Sequence, residues 1–280
     1  MPSESKFKNK VVVITGGSQG IGKAMALGFA KLGAHIIICA RTKTDLDQTK
    51  QEIVDDNGSC DAYVVDVSQH NHVALFFKKI IGSHKKIDVL ICSSGIYGPL
   101  GALETNDMTH WKNAIDINLM GTVYCVHAAL PQMKKQKCGT IITLCGGGVG
   151  SKNIKPNLSA YTSSKAAIAL FTEVIAKEVL EDNIQINAIS PGAVNTRLLD
   201  EVLHAGKSAG ESFLDAAKKQ KESGGTSPEK AVNLAIWLAC HTTVTGKVLS
   251  ALWDNYENLD FTHESLYNLR RIDQINFIEK

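Results

Sequence analysis

Apolar residues in this chain gather into short unbroken runs, and the stretches between them carry apolar positions at helical spacing. Val11-Val12-Val13-Ile14 is followed by a glycine-rich turn, after which IGKAMALGFAKLG shows helical spacing and closes on Gly33, a helix-stop residue. Residues 34–40, AHIIICA, read as a second buried strand, and AYVVDV, DVLICSSG, GTIITLC and IQINAISPG repeat the pattern, each separated by a helix-length segment. Strands that are apolar on both faces and alternate with helices predict α/β architecture, a single doubly wound parallel sheet with helices on both faces. No Pro/Ser-rich linker, internal repeat or low-complexity segment divides the chain, so one domain over residues 1–280 is expected. Residues 197–228 break the rhythm: they are polar, rich in small residues and follow a strand's carboxyl end, where a substrate lid would sit. Residues 251–280 form a C-terminal extension whose Trp253, Tyr256 and Phe261 suit packing better than a ligand site.

Composition narrows the function classes. The 280 residues are 44% hydrophobic and 21% charged with a formal net charge of +2, which offers no electrostatic case for nucleic acid. The densest basic clusters, 134–137 and 218–221, read as solvated helix ends. Seven cysteines without a C-x-x-C pair argue against a disulfide framework or a zinc site, and imply a reducing, cytoplasmic setting. His35, His127 and His241 lack metal-ligand spacing, so no metal is expected. The amino terminus lacks the apolar core of a signal peptide, and no apolar stretch approaches a membrane span.

The candidate chemistry begins at TGGSQGIG, residues 15–22, directly after the first strand and at the mouth of the first helix. Gly16 permits the tight turn, while Gly20 and Gly22 allow a pyrophosphate to approach the backbone and the helix to pack on the sheet. At the end of the second strand, where an acid would accept from the adenosine ribose, the chain has Ala40-Arg41-Thr42-Lys43. Arg41 offers a planar guanidinium for a phosphate, with Thr42 and Lys43 as further donors, so NADP(H) is expected rather than NAD(H).

Further along, YTSSK places Tyr161 and Lys165 four residues apart, on one face of a helix. A phenol with a pKa near 10 gives up its proton reluctantly, and a lysine one turn away stabilises the tyrosinate.

Taken together with Asp66-Val67, CSSG at 92–95, Asn118 in DINLMG and SPGAVNT at 190–196, these motifs make the chain resemble the short-chain dehydrogenase/reductase family over nearly its whole length. The resemblance implies a Rossmann domain that transfers hydride between NADP(H) and a ketone, aldehyde or alcohol, acting as a carbonyl reductase. Tyr161 would be the proton donor, Lys165 would hold the nicotinamide ribose, and Asn118 would complete a relay near Lys165. Gly16, Ser18, Gln19, Gly20, Ile21 and Gly22 would cradle the pyrophosphate, with Arg41 and Thr42 beyond them. Asp66 and Val67 would meet the adenine, Ser93, Ser94 and Gly95 the ribose, and Pro191, Gly192, Val194 and Thr196 the nicotinamide end. The family implies a homodimer or homotetramer.

Two departures stand out. CSSG replaces the usual NNAG, and the catalytic serine position aligns with Cys145 or Gly146, of which Cys145 is preferred; Ser151 is a further substitute. A thiol is a weaker donor than a hydroxyl, so slower turnover is expected. The rival readings are a dinucleotide-binding sensor or scaffold without turnover, favoured by the missing serine, and a nucleotide-sugar epimerase, disfavoured by the short chain.

Overall fold

A computed structural model of the chain describes residues 6–146, 148–149 and 154–258. Among the described residues seven strands form one wholly parallel sheet: β1 (Val11–Thr15), β2 (His35–Ala40), β3 (Ser59–Val64), β4 (Val89–Cys92), β5 (Gly139–Leu144), β6 (Ile184–Ser190) and β7 (Val248–Ser250). Their spatial order is β3-β2-β1-β4-β5-β6-β7, so the chain winds outward from β1 in one direction and then returns to wind in the other. A crevice therefore opens beyond the carboxyl ends of β1 and β4, where the direction reverses.

The period of two along each strand sorts the core into two layers. Val12, Ile14, Ile36 and Ile38 pack under Met25 and Phe29 of α1 (Gly20–Lys31), Leu46 and Ile53 of α2 (Lys43–Asp55), and Leu234 and Leu238 of α9 (Glu229–Cys240). Val11, Val13, Ile37 and Cys39 face the other way. They meet Phe76, Phe77 and Ile80 of α3 (His70–His84), Val126 and Met133 of α5 (Gly121–Gln136), and Ile175 of α6 (Ser159–Glu178). Between β4 and α5 lie α4 (Met108–Ile115) and a π-helical turn, Asp116–Met120.

One expectation is corrected in detail. The run read from Ala62 to Val67 is displaced: β3 starts at Ser59 and stops at Val64, leaving Asp66 and Val67 beyond its end. An edge strand paired only to β2 is half exposed, so its apolar residues do not mark its limits. The three-residue β7 carries too short a pattern to read. Residues 197–228 hold α7 (Arg197–Ala205) and α8 (Glu211–Ser223), packed around a small core of Leu199, Val202, Ala209 and Ala217. Trp253 is 76% exposed, Tyr256 packs on Trp237 at 5.4 Å, and Phe261 lies outside the described residues. Among the described residues no helix is long and apolar enough to cross a membrane.

Candidate active site

The glycine-rich turn is shaped by contacts that only glycine tolerates. Gly16 has φ +65°, and a Cβ there would fall 2.9 Å from the backbone nitrogen of Ser94, because the ends of β1 and β4 touch. A Cβ on Gly22 would fall 2.3 Å from the carbonyl oxygen of Gly16, so α1 begins directly against the turn. Gln19 gives α1 no side-chain cap and the first turn has no acidic residue, leaving its N–H groups and positive dipole end open to an anion. Thr15 Oγ1 accepts from the backbone N–H groups of Ser93 at 3.1 Å and Ser94 at 3.3 Å, which fixes the β4 end although the amides of NNAG are absent.

Seventeen of the anticipated residues line this one crevice. They are Gly16, Ser18, Gln19, Gly20 and Ile21 on the turn, Arg41 and Thr42 after β2, Asp66 and Val67 after β3, Ser93, Ser94 and Gly95 after β4, with Cys145, Tyr161, Lys165, Pro191 and Thr196. The uncapped helix start, the glycine cradle and the exposed Arg41 fit a dinucleotide phosphate chain.

Four anticipated contacts lie one layer back. Gly22 supports the turn from below, and Gly192, at φ +84°, packs against Leu252. Val194 is buried and bridges to Gly225 and Thr226. Asn118, fully buried in the π-helical turn, spends its side chain inside the protein: Oδ1 accepts from Ile96 N–H at 2.8 Å, and Nδ2 donates to Ile96 O at 2.9 Å and to the Ser164 hydroxyl Oγ at 3.0 Å. It therefore braces the β4 loop against α6, taking over the task of the missing amides. A π-helical turn inside a helix commonly marks such a functional position.

Tyr161 and Lys165 emerge from the first turns of α6 as the helical spacing requires. The Lys165 ammonium sits 5.6 Å from the Tyr161 ring centroid and donates to the Leu144 carbonyl at 2.9 Å. Burial lowers the Lys165 pKa to about 8, opposed by the nearby Cys145 and Cys92 thiols. Burial also pushes the Tyr161 phenol well above its usual range, with smaller contributions from Tyr97 and Cys145, so the phenol holds its proton at neutral pH.

The strand end brings two positions toward that phenol. Cys145 is 2% exposed and packs with Ala169, Ala188 and Val248. A Cβ on Gly146 would lie 3.8 Å from the Tyr161 hydroxyl oxygen. Position 146 is thus a second place, beside the preferred 145, from which a side chain would approach the proton donor, while Cys145 itself lines the crevice and contributes to the raised Tyr161 pKa. Position 146 holds glycine at φ +143°, so no side-chain hydroxyl is supplied from there. Ser151 lies outside the described residues.

Sequence reasoning did not anticipate the wall opposite. Arg197, Leu198 and Glu201 of α7 also line the crevice, and Glu201 borders a smaller hollow lined by Ile96, Gly98, Pro99, His110 and Asn113. Burial raises the Glu201 carboxyl pKa, countered by the Tyr97 N–H and the charges of Arg197 and Arg41. Tyr97 packs edge-on to Tyr161 at 4.6 Å and to Phe213 of α8 at 6.1 Å. The only sequence signal for this wall was the break in rhythm at residues 197–228.

Comparison with known proteins agrees with this architecture. Residues 10–206 match the short chain dehydrogenase family model. An uncharacterised oxidoreductase of Staphylococcus saprophyticus is 34% identical over 71% of this chain and 79% of its own length. A 3-oxoacyl-acyl-carrier-protein reductase of Thermotoga maritima is 29% identical over 87% and 96% respectively. The crystal structure of an NAD+-bound xylitol dehydrogenase superposes with a TM-score of 0.80 at 26% identity, covering 88% of this chain and 98% of its own. The chain belongs to the short-chain dehydrogenase/reductase family, and is with it an oxidoreductase that uses a nicotinamide dinucleotide.

Proposed function

We propose that this protein is an NADP(H)-dependent reductase of ketones or aldehydes. The observation that carries the proposal is the opening of Tyr161, with Lys165 one turn away, into the same crevice as the uncapped start of α1. Nicotinamide dinucleotide, when bound, supplies the hydride that reaches the carbonyl carbon. Tyr161 gives its proton to the carbonyl oxygen, and the Lys165 charge stabilises the tyrosinate that remains. The phenol holds its proton at neutral pH, the form that reduction of a carbonyl requires. NADP(H) is favoured by Arg41 in the crevice wall and by the absence of a carboxylate in Ala40-Arg41-Thr42-Lys43. Ile96, Ile117, Leu144 and Leu198 in the crevice lining favour a carbonyl on an apolar body, and α7 and α8 would cover it.

A sensor or scaffold without turnover is not favoured, since both Tyr161 and Lys165 are kept and share one crevice. The test is NADPH and NADH oxidation by the purified protein across a panel of aromatic and aliphatic carbonyls. Tyr161→Phe should lose turnover by roughly 100-fold or more while still binding NADPH. Arg41→Ala should raise the KM for NADPH by about 10- to 100-fold, the worth of a charge-assisted phosphate contact, and leave that for NADH unchanged. Equal kcat/KM for the two cofactors would overturn the NADP(H) assignment. Full turnover in Tyr161→Phe would overturn the proton donor.

A further inference from the structure

We propose that His35, Asp61 and His84 form a binding site for a divalent transition-metal ion of the zinc class, at the end of the sheet opposite the dinucleotide crevice. The three come from separate elements. His35 opens β2 at its amino end, Asp61 lies near the amino end of the neighbouring strand β3, and His84 is the last residue of α3, which runs back across the same sheet face. The strand period turns His35 and Asp61 toward that face together with Ile37 and Tyr63, and α3 packs against it.

The geometry is that of a ligand set. His35 Nε2 and His84 Nε2 lie 3.2 Å and 3.3 Å from the same Asp61 oxygen, Oδ2, and the three ligand atoms fall within 4.8 Å of one another. With metal–ligand bonds of about 2.0–2.1 Å, the edge of a tetrahedral site is about 3.3 Å, which matches both contacts. The other nitrogen of His35, Nδ1, is 2.7 Å from Ser59 Oγ, the kind of outer contact that holds a ligating imidazole in one orientation; without an ion Nε2 donates to Asp61 Oδ2 at 3.2 Å, and a bound ion would take the place of that proton, with Nδ1 then donating to Ser59.

A second observation points the same way. His84 Nε2 is a buried side-chain polar atom that makes no hydrogen bond, although it lies 3.3 Å from the Asp61 carboxylate. A buried imidazole nitrogen without a partner is costly. A cation between the three groups would give His84 Nε2 its partner and replace the proton shared by His35 Nε2 and Asp61 Oδ2. The side chains of His35, Asp61 and His84 remain 25%, 39% and 19% exposed, so an ion can enter and a fourth position can hold solvent. Two imidazoles and one carboxylate suit zinc, cobalt or nickel rather than calcium or magnesium. Bound there, the ion would staple the edge strand β3 and the end of α3 to β2.

The intact protein should bind one saturable equivalent of Zn(II) in calorimetry, and its thermal unfolding midpoint should rise with added Zn(II). Co(II) should give the visible absorption of a tetrahedral site without the near-ultraviolet thiolate band, which separates this site from the exposed Cys138. His84→Gln and Asp61→Asn should each weaken binding at least 10-fold and abolish the thermal shift, with carbonyl reduction unchanged because the crevice lies at the other end of the strands. Absence of a saturable equivalent in the unmodified protein would overturn the proposal. A cobalt spectrum dominated by thiolate, or equal binding in both variants, would do the same.

Discussion

Among single residues, Lys165 is caught between two demands. Its burial lowers its pKa from 10.5 to about 8, so at neutral pH the fold carries a lysine that is charged where charge is disfavoured. An unfolded chain binds that proton up to the higher value. The stability cost is therefore fully present below about pH 8 and is relieved as pH climbs toward 10.5. Function runs the other way, because only the charged ammonium stabilises tyrosinate. With NADPH as the varied substrate, kcat/KM for carbonyl reduction should fall as pH rises through about 8, while the stability of the unmodified protein relative to Lys165→Met rises over the same window. A rate profile flat to pH 10 would remove Lys165 from the proton donor's electrostatics. Lys165→Met should abolish turnover and flatten that part of the stability profile.

At the level of elements, the carboxyl end of β5 decides how much catalytic help is missing. Its last ordered side chains alternate into the two layers, which sends Cys145 into the packing of Ala169 and Ala188 and leaves Gly146 facing the phenol. Cys145→Ser should therefore leave turnover within about 2-fold, whereas Gly146→Ser should raise it by roughly 10-fold or more by supplying an oxyanion donor. The serine must adopt φ near +143°, or shift the strand end, so a loss of about 1 kcal/mol in stability should accompany the gain. If Cys145→Ser gave the larger gain, the assignment of position 146 would fail. Central strands such as β1 and β5 were legible because burial on both faces leaves an unbroken apolar run. Edge strand β3 was not, and the one-residue choice between Cys145 and Gly146 depends on a backbone direction that no alternation of residue types records. The Tyr161–Lys165 spacing was legible because helix geometry alone brings the pair together. The wall of Tyr97, Glu201 and Phe213 was hidden, since its members meet only when α7 and α8 fold over the crevice.

For the whole molecule, the open question is what covers the outer face of α6. Its inner face holds Ser164, Lys165, Ile168 and Thr172 in the core, while Leu170 and Val174, one turn apart, are 49% and 47% exposed. We propose that this face meets its own copy across a two-fold axis, as one contact of the homodimer or homotetramer expected from the resemblance. An isologous contact uses each apolar residue twice, so a modest patch on one chain doubles its contribution. Burying each half-exposed side chain completely is worth about 1 kcal/mol, and two residues on two chains give about 4 kcal/mol before the cost of association. That is a useful share of an interface but too little for a tight dimer alone, so further surface must contribute as well. Replacing Leu170 and Val174 together by Glu would bring four carboxylates to one axis. Light scattering should then report a monomer where the unmodified protein is a dimer or tetramer. Because Tyr161 and Lys165 lie on the same helix, turnover per chain should fall with dissociation, and a variant that stayed oligomeric at micromolar concentration would place the contact elsewhere.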